Sequence, residues 1–224
     1  MAATVLVTVP RVALVGVGGF GEHVSRLLAR RQGGCEIVAP AVLQHAFADA
    51  PAVTIVALWR PWPSLCDRVD DLAFRSGRPW LPIVVEHPHL LVGPWIEAGS
   101  GACYRCYQAR RVQHDIQHKV TSALAAAYER NPACGPAGYL PHHARIAAGL
   151  AELALRRGLP DQCGGRDASV VGEAYAVSLL TGQTSAHRVI ACHGCTRCGP
   201  GDQLGGGLVR AAPMASRSVE PAGG

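Results

Sequence analysis

The sequence predicts an α/β domain with a largely parallel sheet, and three observations carry that prediction. Apolar runs rich in Val, Ile and Leu alternate with segments of helical period. A glycine-rich turn, Gly16-Val17-Gly18-Gly19-Phe20-Gly21, joins an early strand to an early helix. Two Cys-x-x-Cys pairs, Cys103/Cys106 and Cys195/Cys198, stand about 90 residues apart and would tie distant parts of one domain together.

The elements follow in chain order. Met1 to Val9 is apolar and lacks a basic leading region, so it reads as a first strand rather than a signal peptide. Val12-Ala13-Leu14-Val15 is a short strand, and a helix follows from Glu22 to Arg31. Val24, Leu27 and Leu28 line one face of that helix, and Gly33-Gly34 ends it. Glu36-Ile37-Val38 is the expected second strand. Val53 to Leu58 is a buried-type strand between Pro51 and Pro61. Cys66 to Ser76 reads as a helix closed by Gly77-Arg78-Pro79. Leu81 to Val85 is a strand, and the run from Leu90 to Ile96 is its hairpin partner. The stretch of about 113–182 reads as a helical insert with three helices, near Gln117–Glu129, His142–Arg157 and Ala168–Leu180. Residues 1–200 are therefore expected to form one domain. Residues 201–224 lose all periodicity and read as a flexible tail.

Composition bounds the function. A chain of 224 residues with 49% hydrophobic content supports one sizeable core and is short for two domains. Aromatics make up only 5%, so that core must be aliphatic. The net charge of +5 comes almost wholly from arginine, since Lys119 is the single lysine. The arginines are scattered, which fits a solvated surface better than a nucleic-acid footprint. No stretch approaches the roughly 20 apolar residues of a membrane span. Without an export signal the expected location is the cytoplasm. Nine cysteines there point to metal ligation rather than to disulfides.

Each Cys-x-x-Cys turn aims two sulfurs at one point, and two such turns complete a tetrahedron of thiolates that suits zinc. Cys103, Cys106, Cys195 and Cys198 are the predicted ligands. Gly99, Gly101 and Gly194 precede the knuckles, where backbone amides can bond to sulfur. Arg105 and Arg197 lie inside them and are placed to offset thiolate charge. Four protein donors leave no open position, so the predicted zinc is structural. Two other readings remain: thioredoxin-like redox chemistry at one pair, or unrelated free thiols. Cys192 competes with Cys198 as the partner of Cys195, and the glycines beside Cys195 and Cys198 favour the latter. Cys35, Cys66, Cys134 and Cys163 read as incidental thiols. His187 and His193 flank the second knuckle as candidate supporting groups.

Gly16, Gly18, Gly19 and Gly21 are the candidate cofactor-binding residues, because such a turn lets amides and a helix N-terminus approach phosphate. The acidic residue expected to hold a ribose at the end of the second strand is missing. Glu36 opens that strand, and Ala39-Pro40-Ala41 follows it. The glycines equally serve tight strand-to-helix packing, and that reading stays beside the nucleotide one. His142-His143 and His87-Pro88-His89 read as surface histidines. Trp59, Trp62, Trp80 and Trp95 read as core or interface anchors.

The glycine turn, the segments Gly93-Pro94-Trp95-Ile96 and Cys103-Tyr104-Arg105-Cys106-Tyr107, and His193-Gly194-Cys195-Thr196-Arg197-Cys198-Gly199 carry a resemblance. Trp59-Arg60-Pro61 and Pro79-Trp80-Leu81-Pro82 add to it. Over roughly residues 10–200 the chain resembles the ThiF-like relatives of ubiquitin-activating enzymes, and within them the ocin-ThiF-like proteins of azole-modified peptide and thiopeptide biosynthesis. The resemblance implies a Rossmann-like, ThiF-type sheet and a structural Zn2+. It implies a non-catalytic role, in which the chain presents a ribosomal precursor peptide to a YcaO-type cyclodehydratase and activates it. A homodimer is compatible with the same reading. Family members often open with a leader-gripping winged-helix module. Here the first strand starts almost at once, so leader binding is expected on a separate module.

Two other function classes compete. An ATP-dependent adenylating enzyme of the same family would act on a peptide, but the strand from Thr54 to Leu58 runs into Trp59 with no carboxylate for Mg2+. A nicotinamide-dependent oxidoreductase lacks its ribose carboxylate.

Overall fold

The computed structural model describes residues 10–131, 133–160 and 165–199. The expected strand at Met1–Val9, the expected tail at 201–224 and Cys163 lie outside the described residues.

Strand β1 (Val12–Val17) leads straight into helix α1 (Gly18–Arg31), then β2 (Cys35–Ile37). A short 3-10 turn (Pro40–Val42) and α2 (Leu43–Ala48) precede β3 (Val53–Leu58). Next come α3 (Pro63–Ser76), β4 (Trp80–Glu86) and β5 (His89–Val92). Three helices follow: α4 (Tyr104–His114), α5 (His118–Arg130) and α6 (Pro141–Gly158). A second 3-10 turn (Ala168–Val170), β6 (Glu173–Ser178) and β7 (Thr184–Arg188) complete the order.

The seven strands of the described residues form one sheet in the order β2-β1-β3-β4-β5-β6-β7. The first four are parallel, and β5, β6 and β7 follow, each antiparallel to the strand before it. Both faces of the parallel half are covered, as parallel sheets require. Leu14, Ile55 and Ile83 pack with α1 and α6 in one core, and Val15, Val56 and Leu58 pack with α2 and α3 in the other. β3 is buried at every position, which matches its unbroken apolar run. α6 presents a face of small side chains, Ala144, Ala147, Ala148, Ala151 and Ala154, and so lies close against α1 and the sheet. Trp80 and Trp95 are fully buried, and Trp59 and Trp62 are partly buried.

The expected parallel α/β order holds through β4, and the hairpin partner is β5. The helical insert of about 113–182 does not hold as one block. Its first two helices are α5 and α6, but the third, expected at Ala168–Leu180, is the strand β6. Ala and Glu favour a helix there, yet Tyr175 to Ser178 pair along a sheet edge offered by β5, and pairing wins over propensity. β7 has no signal in the sequence, because Thr-Ser-Ala-His-Arg is exposed throughout and carries no apolar period. α2 is a further element that the sequence reading does not contain, and its own Leu43 and Phe47 are buried. α4 has no sequence signal either, because only Tyr104 and Cys106 on it are buried and it lacks an amphipathic stripe.

Candidate metal centre and glycine turn

The four cysteines meet. The sulfurs of Cys103, Cys106, Cys195 and Cys198 all lie within 4.8 Å of one another. Cys103 and Cys106 are 3.8 Å apart, Cys103 and Cys195 3.7 Å, and Cys106 and Cys198 3.3 Å. A tetrahedron of sulfurs about 2.3 Å from a central zinc has edges of about 3.8 Å. The donor set and its spacing fit a soft divalent cation, and among the described residues this is the cluster that could hold one.

Local structure explains the convergence. Cys103 is the residue before α4 and Cys106 lies in that helix's first turn, so both sulfurs point off one helix end. They are 4% and 1% exposed, beside Ala102 at 1%. After β7 the chain runs back along α4. Arg110 donates to the carbonyls of Ile190 and Ala191, at 3.3 Å each, and fixes that run. Gly194 then turns the chain with φ +72°, a conformation that glycine adopts freely. A side chain at Gly199 would meet the Cys195 carbonyl at 2.4 Å, so the second knuckle needs glycine to close. The Gly199 amide donates to that same carbonyl at 2.8 Å.

The electrostatics favour thiolate at one corner. The backbone amide of Cys198, with that of Arg197, brings the Cys195 thiol down to about 6. Burial pushes Cys198 up to about 11 and raises Cys103 as well. Burial therefore opposes ionisation of Cys103 and Cys198, and a central cation is the charge that would reverse this. The Cys192 amide donates to the Cys106 sulfur at 3.2 Å. Cys192 thus supports the cluster through its backbone and is not a member of it, as the glycine flanks suggested.

Arg105 and Arg197 were expected to offset the thiolates. They turn instead to α3. Arg197 is 10% exposed in its side chain, pairs with Asp71, and lies 3.5 Å from Asp70. Arg105 reaches Asp71 at 4.0 Å. Asp70 is 3% exposed and accepts from the Trp80 indole at 3.1 Å. Burial raises its carboxyl above the usual range. The second knuckle is thereby pinned to α3 as well as to α4. His187 lies on β7, where its ring bonds to Ser185 at 2.8 Å. The pairing of Arg197 with Asp70 and Asp71 had no signal in sequence beyond their charges.

The other motif sits at the opposite side of the sheet. β1 ends at Val17 and α1 begins at Gly18 with φ +69°. A side chain on Gly18 would meet the Trp59 indole at 2.3 Å, one on Gly21 the Ala57 carbonyl at 2.2 Å, and one on Gly16 the Gly21 carbonyl at 2.5 Å. Gly19 faces Tyr139, whose hydroxyl donates to the Gly19 carbonyl at 3.0 Å and contacts His23 Nδ1 at 3.1 Å. The glycines thus let α1 seat against β1 and β3, and two aromatic side chains lie on the turn. β2 is followed by Val38 and Ala39, and Glu36 within β2 pairs with Arg11 at 2.9 Å.

The histidines divide. His87 and His142 are exposed as expected. His143 corrects the expectation. It is 7% exposed, takes the Leu140 amide on Nδ1 at 3.3 Å, and burial lowers its basicity. Of the incidental thiols, Cys66 is buried and pushed up to about 12 by that burial, whereas Cys35 and Cys134 are half-buried. No helix among the described residues is long and apolar enough to cross a membrane.

No protein-family model matches the sequence, and no curated protein matches it. Solved structures do share its fold. The heterocyclase TruD matches 85% of this chain at a TM-score of 0.58 and 17% identity, through 27% of its own length. A heterocyclase solved in complex with substrate and cofactor matches 85% at 0.55 and 16% identity, through 25% of its length. E. coli MccB, solved with MccA, matches 85% at 0.56 and 14% identity, through 66% of its length. The chain therefore has the fold of a portion of the heterocyclases and of much of MccB. It spans about a quarter of the heterocyclases' length.

Proposed function

We propose that this chain is a non-catalytic partner of a YcaO-type cyclodehydratase in the biosynthesis of azoline- and azole-containing ribosomal peptides. In this reading it presents the precursor peptide and activates the heterocyclase. It is a ThiF-like, Rossmann-like domain stapled by one structural Zn2+ on Cys103, Cys106, Cys195 and Cys198. The observation that carries the reading is the fold shared with part of the heterocyclase TruD over 85% of the chain. The four-sulfur cluster supports the structural zinc, since four protein donors fill a tetrahedral shell. Trp59 and Tyr139, packed against the glycine turn, support a turn used for packing.

Reconstitution tests this function. Azoline formation on a Cys/Ser/Thr-rich precursor by the YcaO-type enzyme should rise when the chain is added, and the two proteins should co-purify. Unchanged processing when the chain is left out would contradict it.

A second reading is an ATP-dependent adenylating enzyme acting on a peptide. It is favoured by the fold shared with E. coli MccB, a structure of which was solved with ATP. ATP–pyrophosphate exchange by the chain would support it. Three features weigh against it: no carboxylate at the end of β3, none after β2, and an indole on Gly18.

A further inference from the structure

The antiparallel end of the sheet has one covered face and one open face. Leu90, Val92 and Val177 are buried in the core that contains α6. Leu91 stands opposite Ala176, and Ala174 opposite His187. These four point to the other face, because side chains alternate along a strand. They floor a groove of about 660 Å³. Tyr107, Arg110, Arg111 and His114 of α4 wall one side, and the run from Arg188 to Ile190 closes another. The two alanines keep the floor low, and β7, the edge strand among the described residues, is exposed along its length.

Among the described residues the lining is cationic and holds no Asp or Glu. Arg110 donates to the carbonyls of Ile190 and Ala191. Arg188 donates to those of Val171 and Ser169, at 3.1 Å and 2.6 Å. Neutral carbonyls fix the two guanidinium groups in place without cancelling their charge. The carboxylates of Glu86 and Glu173 are already engaged, by Arg111 and Arg157. The groove thus combines a low, sheet-like floor, positive walls of fixed geometry and open access along β7. A volume of this size lies in the range of ligand-binding clefts.

We infer that this groove takes an extended, acidic peptide segment, its carboxylates directed at Arg110, His114 and Arg188. The inference rests on the reading of the chain as a peptide-presenting partner, to which it adds a place and a charge. Charge complementarity selects the acidic peptide over a neutral one, and it makes binding weaken with salt.

Fluorescence anisotropy with the full chain tests it. The probes are a labelled peptide alternating Glu with Ala, its Gln-for-Glu counterpart, and a single-stranded oligonucleotide of matching charge. The Glu peptide should bind at least about tenfold more tightly than the other two. His114→Glu with His187→Glu should weaken it about tenfold, a change of about 1.4 kcal/mol. These two side chains are exposed, so the thermal melt should stay in place. Equal affinity for the Gln peptide, or an unaffected double variant, would overturn the inference. Oligonucleotide binding as tight as the Glu peptide would overturn it in favour of a polyanion patch. A double variant that alone becomes monomeric by sedimentation would overturn it in favour of a second copy in the groove. The two claims fail separately. Heterocyclase stimulation that survives in a double variant unable to bind peptide removes the groove's role and spares the partner function. Peptide binding in the groove without any stimulation does the reverse.

Discussion

The glycine turn and the cysteine cluster are both short motifs, yet the fold uses them differently. At the turn three of the four glycines answer to a neighbour in the same chain: Trp59 on Gly18, the Ala57 carbonyl on Gly21, the Gly21 carbonyl on Gly16. Packing accounts for those three, while Gly19 meets only Tyr139, at an ordinary 3.6 Å. At the cluster, four sulfurs from two stretches of chain come within 4.8 Å, three of them raised or lowered in acidity by burial and amide bonds. Packing has no reason to gather four thiols with tetrahedral spacing. A motif of glycines therefore carries little chemistry until its neighbours are known, whereas a motif of ligands carries chemistry once its members converge.

The largest effect that would sharpen this contrast is loss of a ligand. Cys103→Ser, Cys106→Ser or Cys198→Ser should abolish metal binding and give insoluble protein. Structural zinc contributes roughly 10–16 kcal/mol, comparable with a whole domain's stability. Soluble variants with an unchanged melting temperature would break the contrast. Arg197→Gln comes next. It leaves the buried Asp70 without its cation and should cost about 3 kcal/mol in urea unfolding, with metal content retained. Gly21→Ala should cost about 1–3 kcal/mol, because its side chain would press on the Ala57 carbonyl. Trp59→Ala should destabilise the domain and still give no ATP binding by calorimetry. A gain of ATP binding would return the turn to the nucleotide reading.

The smallest effect is a pH dependence. His143 is buried neutral, so its folded basicity lies below that of the unfolded side chain. Protonation then favours the unfolded chain. The contribution is intact above the unfolded value of about 6.5 and is lost as pH falls below it. Stability of His143→Gln should decline less than that of the parent protein between pH 7 and 5, read from thermal melts.

Sequence period made the parallel half legible, because β1, β3 and β4 are buried apolar runs and α1, α3 and α6 carry clear stripes. The antiparallel end was not legible. β6 is alanine-rich and β7 wholly exposed, so neither carries a pattern that a local reading could find. The four sulfurs were legible because ligand spacing is local within each knuckle. What surrounds them was not. The seating of Cys103 at the head of α4 and the turn of Arg197 toward Asp70 and Asp71 are tertiary, and no spacing rule reaches across them. His143 was misjudged for the same reason, since its burial depends on what α6 packs against.

The most direct measurement is metal analysis of the purified chain joined to X-ray absorption at the zinc edge. One zinc per chain with four sulfur neighbours at about 2.3 Å is the expected result. A chain that is folded and free of metal, or a zinc bound by nitrogen or oxygen, would contradict it.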